Sequence, residues 1–153
     1  SNFFFLSLAE ILCSSDDYSM LCSLITSIDG LSETLVAASE EGTTIFAPTN
    51  AAVNRFMDEY DADDTNSDEW LLNLLQFHIV DRTEKAMLFE TLLCGELISM
   101  SNGKNTRILC KDDIPYGIKG IGNDVPADFI DTDIIACNGS IIHAIDTVLL
   151  YLK

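Results

Sequence analysis

The chain has 153 residues, enough for one domain with a genuine core, and 48% of them are hydrophobic, which excludes a disordered acidic tail. Its 25 Asp and Glu against 8 Lys and Arg give a formal charge of −17, a surface that repels nucleic acid and anionic lipid, so nucleic-acid binding is excluded. No apolar run approaches the roughly 18 residues that span a bilayer, so no membrane insertion by this domain is expected.

The opening "SNFFFLSLAEILC" is apolar, but it lacks a basic n-region and Glu10 interrupts it. It reads as an amphipathic helix over 4–13 and not as a signal peptide, and no lipidation signal follows at the far end. "SSDD" supplies an N-cap for a second helix over about 17–28, which buries Leu21, Leu24, Ile25 and Ile28 and stops at Gly30. "LSETLVAAS" is a third helix with Ser32 as its cap. "TTIFAP", 43–48, turns to β-branched and aromatic residues and ends at a proline that cannot continue a ladder. "TNAAVNRFMDEY" is a helix begun by Thr49 or Asn50, "DADDTNSDE" (61–69) an acidic loop, and "WLLNLLQF" an apolar helix running into a short strand, "HIV". From residue 87 strands dominate: "ELISM" and "TRILC" flank "SNGKN" as a hairpin, and "GIKGIG", "TDIIAC", "SIIHAI" and "TVLLYL" are further short strands. Helices first and strands later argue for an α+β fold, in a single domain over 1–153.

The five cysteines form no CxxC, and two histidines supply a closed zinc site poorly. Buried free thiols of a cytosolic protein are one reading; disulfides of an oxidising compartment are the other. A hairpin centred near Asn102–Lys104 places Cys94 almost opposite Cys110, within reach of a bridge. Cys13 ends the first helix and Cys22 lies in the second turn of the next, which predicts a second bridge. Cys137 is then unpaired, and it is the competing partner for either.

"CNGSIIHAIDTVLL" sets Cys137, His143 and Asp146 close together, as a nucleophile, a base and its orienting carboxylate would be. Along a strand, however, Gly139 and His143 are roughly 13 Å apart at ~3.3 Å per residue, whereas a nucleophile and its base must meet within about 3 Å. His143 therefore reads as a hydrogen-bonded strand histidine. Asp146 and Thr147 form a turn pair whose carboxylate accepts nearby N–H groups, and Thr49 and Asn50 serve a helix start in the same way. The acidic loop fits no EF-hand register: counted from Asp61 the sixth position is Asn66, and counted from Asp64 it is Glu69. The cluster Asp61, Asp63, Asp64, Asp68 and Glu69 reads as solvated carboxylates that hold divalent cations weakly at most. "NGS", 138–140, is a glycosylation sequon in a tight turn beside a buried strand, which disfavours its use.

"TTIFAPTNAAVNRF" (43–56) and "DIIACNGSIIHAIDTVLL" (133–150) resemble the two signature stretches of the fasciclin domain, an extracellular adhesion module. Between them, "LLNLLQFHIV" resembles the family's Leu-Leu…Tyr-His segment and "TLLCGELISMSNG" its Thr-Leu…Gly strand, so the resemblance covers nearly the whole chain. Phe77 stands where the family usually has tyrosine, and "VLLYLK" lacks the proline that commonly follows the leucines. The resemblance implies a wedge of short β-strands with N-terminal and flanking helices. It makes the two signature stretches adjacent core strands, so Thr49, Asn50, Asn138, Gly139, His143 and Asp146 are structural. At the junction of a helix and a strand, His78 reads as a capping or core histidine; the family's Tyr-His region has been linked to receptor binding, which makes Phe77 and His78 candidates for partner binding.

The function expected is a non-catalytic extracellular adhesion or matrix-interaction module, secreted or held at the cell surface. Its expected partners are extracellular proteins or glycans, with homophilic self-association and weak divalent-cation binding as further options. No cofactor is expected. An acidic cation- or mineral-associating structural protein of a wall or biofilm is the alternative, and an enzyme is disfavoured because no nucleophile, metal cluster or cofactor loop stands out.

Overall fold

The first helix, α1 (Leu8–Ser14), is set by a reciprocal cap: Glu10 N–H donates to Ser7 Oγ and Ser7 N–H donates to the Glu10 carboxylate. The structure is a computed structural model and describes residues 7–60, 68–81, 84 and 86–152. Ser15 caps the short 3-10 turn Asp16–Tyr18 through Asp17 N–H, and α2 (Ser19–Ser27) follows, later than the sequence pattern predicts. The third helix, α3 (Leu31–Glu40), starts without a side-chain cap. Gly30, at φ 84°, takes the cap position and turns the chain, so Ser32 is already inside the helix and is not its cap. β1 (Thr44–Pro48) leads to α4 (Asn50–Glu59), capped as expected by Thr49, whose Oγ1 accepts from Ala52 N–H. Asp68 and Glu69 are not loop residues: they form the acidic first turn of α5 (Asp68–Gln76), where the helix dipole favours them. The rest of the expected loop, 61–67, lies outside the described residues.

The strands are β2 (Leu97–Ser99), β3 (Asn105–Lys111), β4 (Ile114–Lys119), β5 (Ala127–Ile135) and β6 (Ile141–Ile145). They join β1 in one mixed sheet of order β1-β6-β5-β4-β3-β2, in which only β1 and β6 run parallel. The two signature stretches are thus adjacent, paired from Thr44–Ile141 to Pro48–Ile145. The predicted hairpin is present: Leu97, Ile98 and Ser99 pair with Arg107, Thr106 and Asn105. Three residues further along that register stands Cys94 opposite Cys110, and the two form a disulfide with Cα atoms 5.4 Å apart. Cys13 and Cys22 form the second, clamping the end of α1 to α2 at 5.0 Å, and Cys137 is free.

Two expected strands are replaced. "HIV" is a segment that joins the two ends of the sheet. Val80 N–H and Phe46 N–H pair it with β1 through Thr44 O and His78 O, while Asp81 N–H and Ser101 N–H pair it with the far hairpin through Ser99 O and Ile79 O. Because backbone groups alternate sides along an extended chain, one short segment serves both neighbours and the sheet curls closed. "TVLLYL" forms no strand. Asn123 occupies its backbone instead, donating to Val148 O (3.0 Å) and accepting from Leu150 N–H (2.9 Å) and Gly120 N–H (3.0 Å). These bonds satisfy buried groups that a ladder would otherwise have to serve.

The alternation of β1 and β6 divides the core. Ile45, Ala47, Ile142 and Ala144 face the α1–α3 helices with Leu8, Leu12, Leu31 and Leu35. Phe46 and Ile145 face the interior of the curl with Phe56, Phe77, Ile108, Ile118 and Leu149. Both faces of β1 and β6 are buried, so these strands read as near-continuous apolar runs.

Candidate functional site

Both histidines are inside, and both ring nitrogens of each are occupied. His78, 2% exposed, lies under the closing segment. Its Nδ1 stands 2.8 Å from Leu74 O and its Nε2 accepts from Leu149 N–H at 2.9 Å, an arrangement that requires the neutral ring protonated at Nδ1. His143 has the opposite tautomer: Nδ1 accepts from Asp133 N–H (3.2 Å), so Nε2–H donates to Met87 O at 2.7 Å. Burial pushes His78 down to about 4, with its bond to Leu74 O acting weakly the other way. Burial likewise lowers His143, against smaller upward effects of the Met87 carbonyl and the Asp133 carboxylate.

Phe77 and His78, the partner-binding candidates that the resemblance implies, are both buried, and His78 is a core histidine, one of the two roles its junction position suggests. Phe77 has no exposed area, packing its ring on Tyr151 at 6.0 Å and beneath Gly120. The reason lies in the closing segment, which carries the end of α5 between the two ends of the sheet.

Cys137, His143 and Asp146 are each committed elsewhere. The Cys137 sulfur accepts from Asn138 Nδ2 at 3.8 Å, in a 3-10 turn where Asn138 and Gly139 adopt φ of 59° and 75°. His143 stacks on Phe46 at 5.7 Å, and its Met87 contact helps to fasten the 86–89 segment. Asp146 Oδ1 accepts from Asp128 N–H at 2.8 Å and from Thr147 Oγ1 at 3.0 Å, tying the end of β6 to β5. Asn50 does more than open a helix. It accepts from Met20 N–H at 2.9 Å and donates to Asp16 O and Ser19 Oγ, joining the start of α4 to the start of α2.

Several scaffold residues were not anticipated. Thr44 Oγ1 accepts from Met87 N–H at 2.7 Å and Asp133 Oδ1 from Phe89 N–H at 2.8 Å, so with His143 they button the 87–89 segment onto the sheet. The buried Ser140 hydroxyl accepts from Thr43 N–H and donates to Ser39 O, linking the β1–β6 pair to α3. Nothing local in the sequence marks Thr44 or Asp133 for this role, because their partners lie more than 40 positions away. The Ser of the "NGS" sequon was visible, but only as a modification signal. Among the described residues no group of three or more His, Cys, Asp or Glu side chains could hold a metal ion, and no single helix is long and apolar enough to cross a membrane.

This arrangement defines an α+β scaffold in which polar side chains secure backbone to backbone around a curled sheet. Residues 16–151 match the family model of the Fasciclin domain, and the chain belongs to that family. Its fold is similar to a solved FAS1 domain pair from the insect cell adhesion molecule Fasciclin I, with a TM-score of 0.64 and 19% identity over 86% of this chain and 44% of that one. The chain thus spans less than half the length of the solved chain it matches. No curated protein matches it. Fasciclin domains are generally non-enzymatic modules associated with cell adhesion, and typically extracellular or at the cell surface; two disulfides fit an oxidising environment.

Proposed function

We propose that this domain is a non-catalytic extracellular module for adhesion or matrix interaction, secreted or held at the cell surface, whose partners are extracellular proteins or glycans. The observation that carries this is a disulfide-bonded fasciclin fold whose two histidines are both consumed by backbone hydrogen bonds. A histidine acting as a general base needs a free ring nitrogen within reach of substrate, and neither histidine here has one. What remains for function is the outer surface. The −17 charge supports a second reading, an acidic structural protein of a wall or biofilm that associates with cations or mineral.

The two readings separate in one binding experiment. The domain is immobilised and exposed to a panel of matrix proteins, receptor ectodomains and glycans, alongside positively charged polymer beads. Adhesion requires saturable binding to a small number of partners that persists near physiological salt. Retention by every cationic surface, abolished by salt, would replace it with the acidic-surface reading.

A further inference from the structure

A groove of about 770 Å³ opens between β3, the end of β4 and the C-terminal residues 151–152. Its walls are apolar: Leu97, Ile121 and Leu152 line it while being 55%, 64% and 55% exposed. Its charge is the reverse of the chain's. Lys104, Arg107 and Lys119, three of the eight basic residues, line it, and among the described residues no carboxylate does, although the chain carries 25. A random patch of this surface would be rich in carboxylates and nearly free of bases.

The sheet register creates this patch. Leu97 pairs with Arg107 and Arg107 with Lys119, so the three stand in a row across three strands. The alternate residues Ile98, Ile108 and Ile118 are buried on the opposite face. Arg107 donates from one guanidinium nitrogen to Gly95 O at 2.8 Å, which fixes the group and leaves its other donors for a ligand.

We propose that this groove docks a partner protein through an extended segment in which carboxylates alternate with large apolar side chains. The proposal rests on the adhesion reading and gives it a location. Carboxylates would meet Arg107, Lys119 and Lys104, while the apolar side chains cover Leu97, Ile121 and Leu152. A small amphiphile fits less well, since small-ligand sites bury about 70–90% of their ligand and these walls stand open. A sulfated glycan would use the bases but leave the apolar walls in water. An exposed apolar patch rimmed by polar groups is the usual mark of a protein contact.

The test is fluorescence anisotropy of a short labelled peptide in which glutamate alternates with leucine. One control peptide carries lysine for glutamate and another carries serine for leucine. Saturable binding of the first alone is expected. The Lys104→Glu/Lys119→Glu variant should weaken it by at least about tenfold, and Ile121→Ser/Leu152→Ser should do the same, with unchanged thermal midpoints confirming that both fold. Arg107 is left intact because it holds the hairpin. Equal binding of the lysine peptide, or full binding by either variant, would overturn the proposal. So would self-association abolished by these variants without peptide binding, which would make a second copy the occupant. Undiminished capture of matrix proteins by Lys104→Glu/Lys119→Glu would overturn the groove and leave the adhesion reading standing.

Discussion

Acidification should destabilise this domain through His78 before most of its carboxylates are protonated. In the native state the His78 ring is neutral because Nε2 must accept from Leu149 N–H; protonation would set two donors against each other in a buried site. Its value is lowered from 6.5 to about 4. An unfolded chain therefore binds this proton as pH falls through 6.5, whereas the folded one resists it until about 4. The contribution of His78 is fully present above about pH 6.5, is lost progressively as pH falls from there, and levels off below the folded value. The linkage cost reaches about 2 kcal/mol at pH 5 and about 3 kcal/mol at pH 4, a large share of the 5–15 kcal/mol typical of a domain. His143, lowered for the same reason, adds in the same direction. Carboxylate protonation relieves the self-repulsion of −17 and so opposes both, which is why wild type must be compared with a variant. The assay is urea denaturation at closely spaced values from pH 7 to 4, for wild type and His78→Gln. The variant should be less stable at pH 7 but lose less on acidification, so the two curves converge. Parallel profiles would show that His78 does not carry the acid sensitivity and would refute the tautomer argument.

Replacing both Cys94 and Cys110 by serine should lower stability by about 3 kcal/mol, the loop-closure contribution of a bridge 16 positions apart, measured as a shift in denaturant midpoint. In the unfolded, unreduced protein an alkylating reagent should label Cys137 alone; a second labelled thiol would break the assignment. Asn123→Ala orphans Gly120 N–H, Leu150 N–H and Val148 O together and should cost at least about 3 kcal/mol, more than Asp146→Ala at about 1–3 kcal/mol. Self-association or surface attachment should need salt or millimolar calcium, because copies at −17 repel until the Debye length falls to about 8–10 Å; equal association at low salt with chelator present, read by sedimentation, would exclude that.

What the sequence reveals here is local. The β-branched and apolar runs of "TTIFAP" and "SIIHAI", the Asn-Gly of the hairpin and the Thr before α4 each act within a few residues, and they locate β1, β6, the β2–β3 pair and the start of α4. The Cys94–Cys110 bridge was legible for the same reason, since a hairpin register extends by counting. The segments misread as strands, 78–80 and 147–152, are apolar runs whose backbone partners come from remote places: both ends of the sheet for one, the side chains of Asn123 and His78 for the other. Nothing within "GIGND" announces that its asparagine will serve three backbone groups. His78 reads from the sequence as a capping or core histidine, but its place at a helix-to-strand junction does not say which. The closing of the sheet buries it, and closure is a property of six strands together.

The parallel pairing of β1 with β6 bears on how such a module carries load. Tension applied at the two ends of the chain, once the leading helices have peeled, draws β1 and β6 in opposite directions along their common axis. The five paired positions from Thr44–Ile141 to Pro48–Ile145 are then loaded in shear. Rupture in that geometry breaks the rungs collectively, where a hairpin pulled from its open end parts one rung at a time. The 78–81 segment lies on the other side of β1 and must be torn from it in the same event. The strand that organises the core is therefore also the mechanical clamp between whatever is attached to either end.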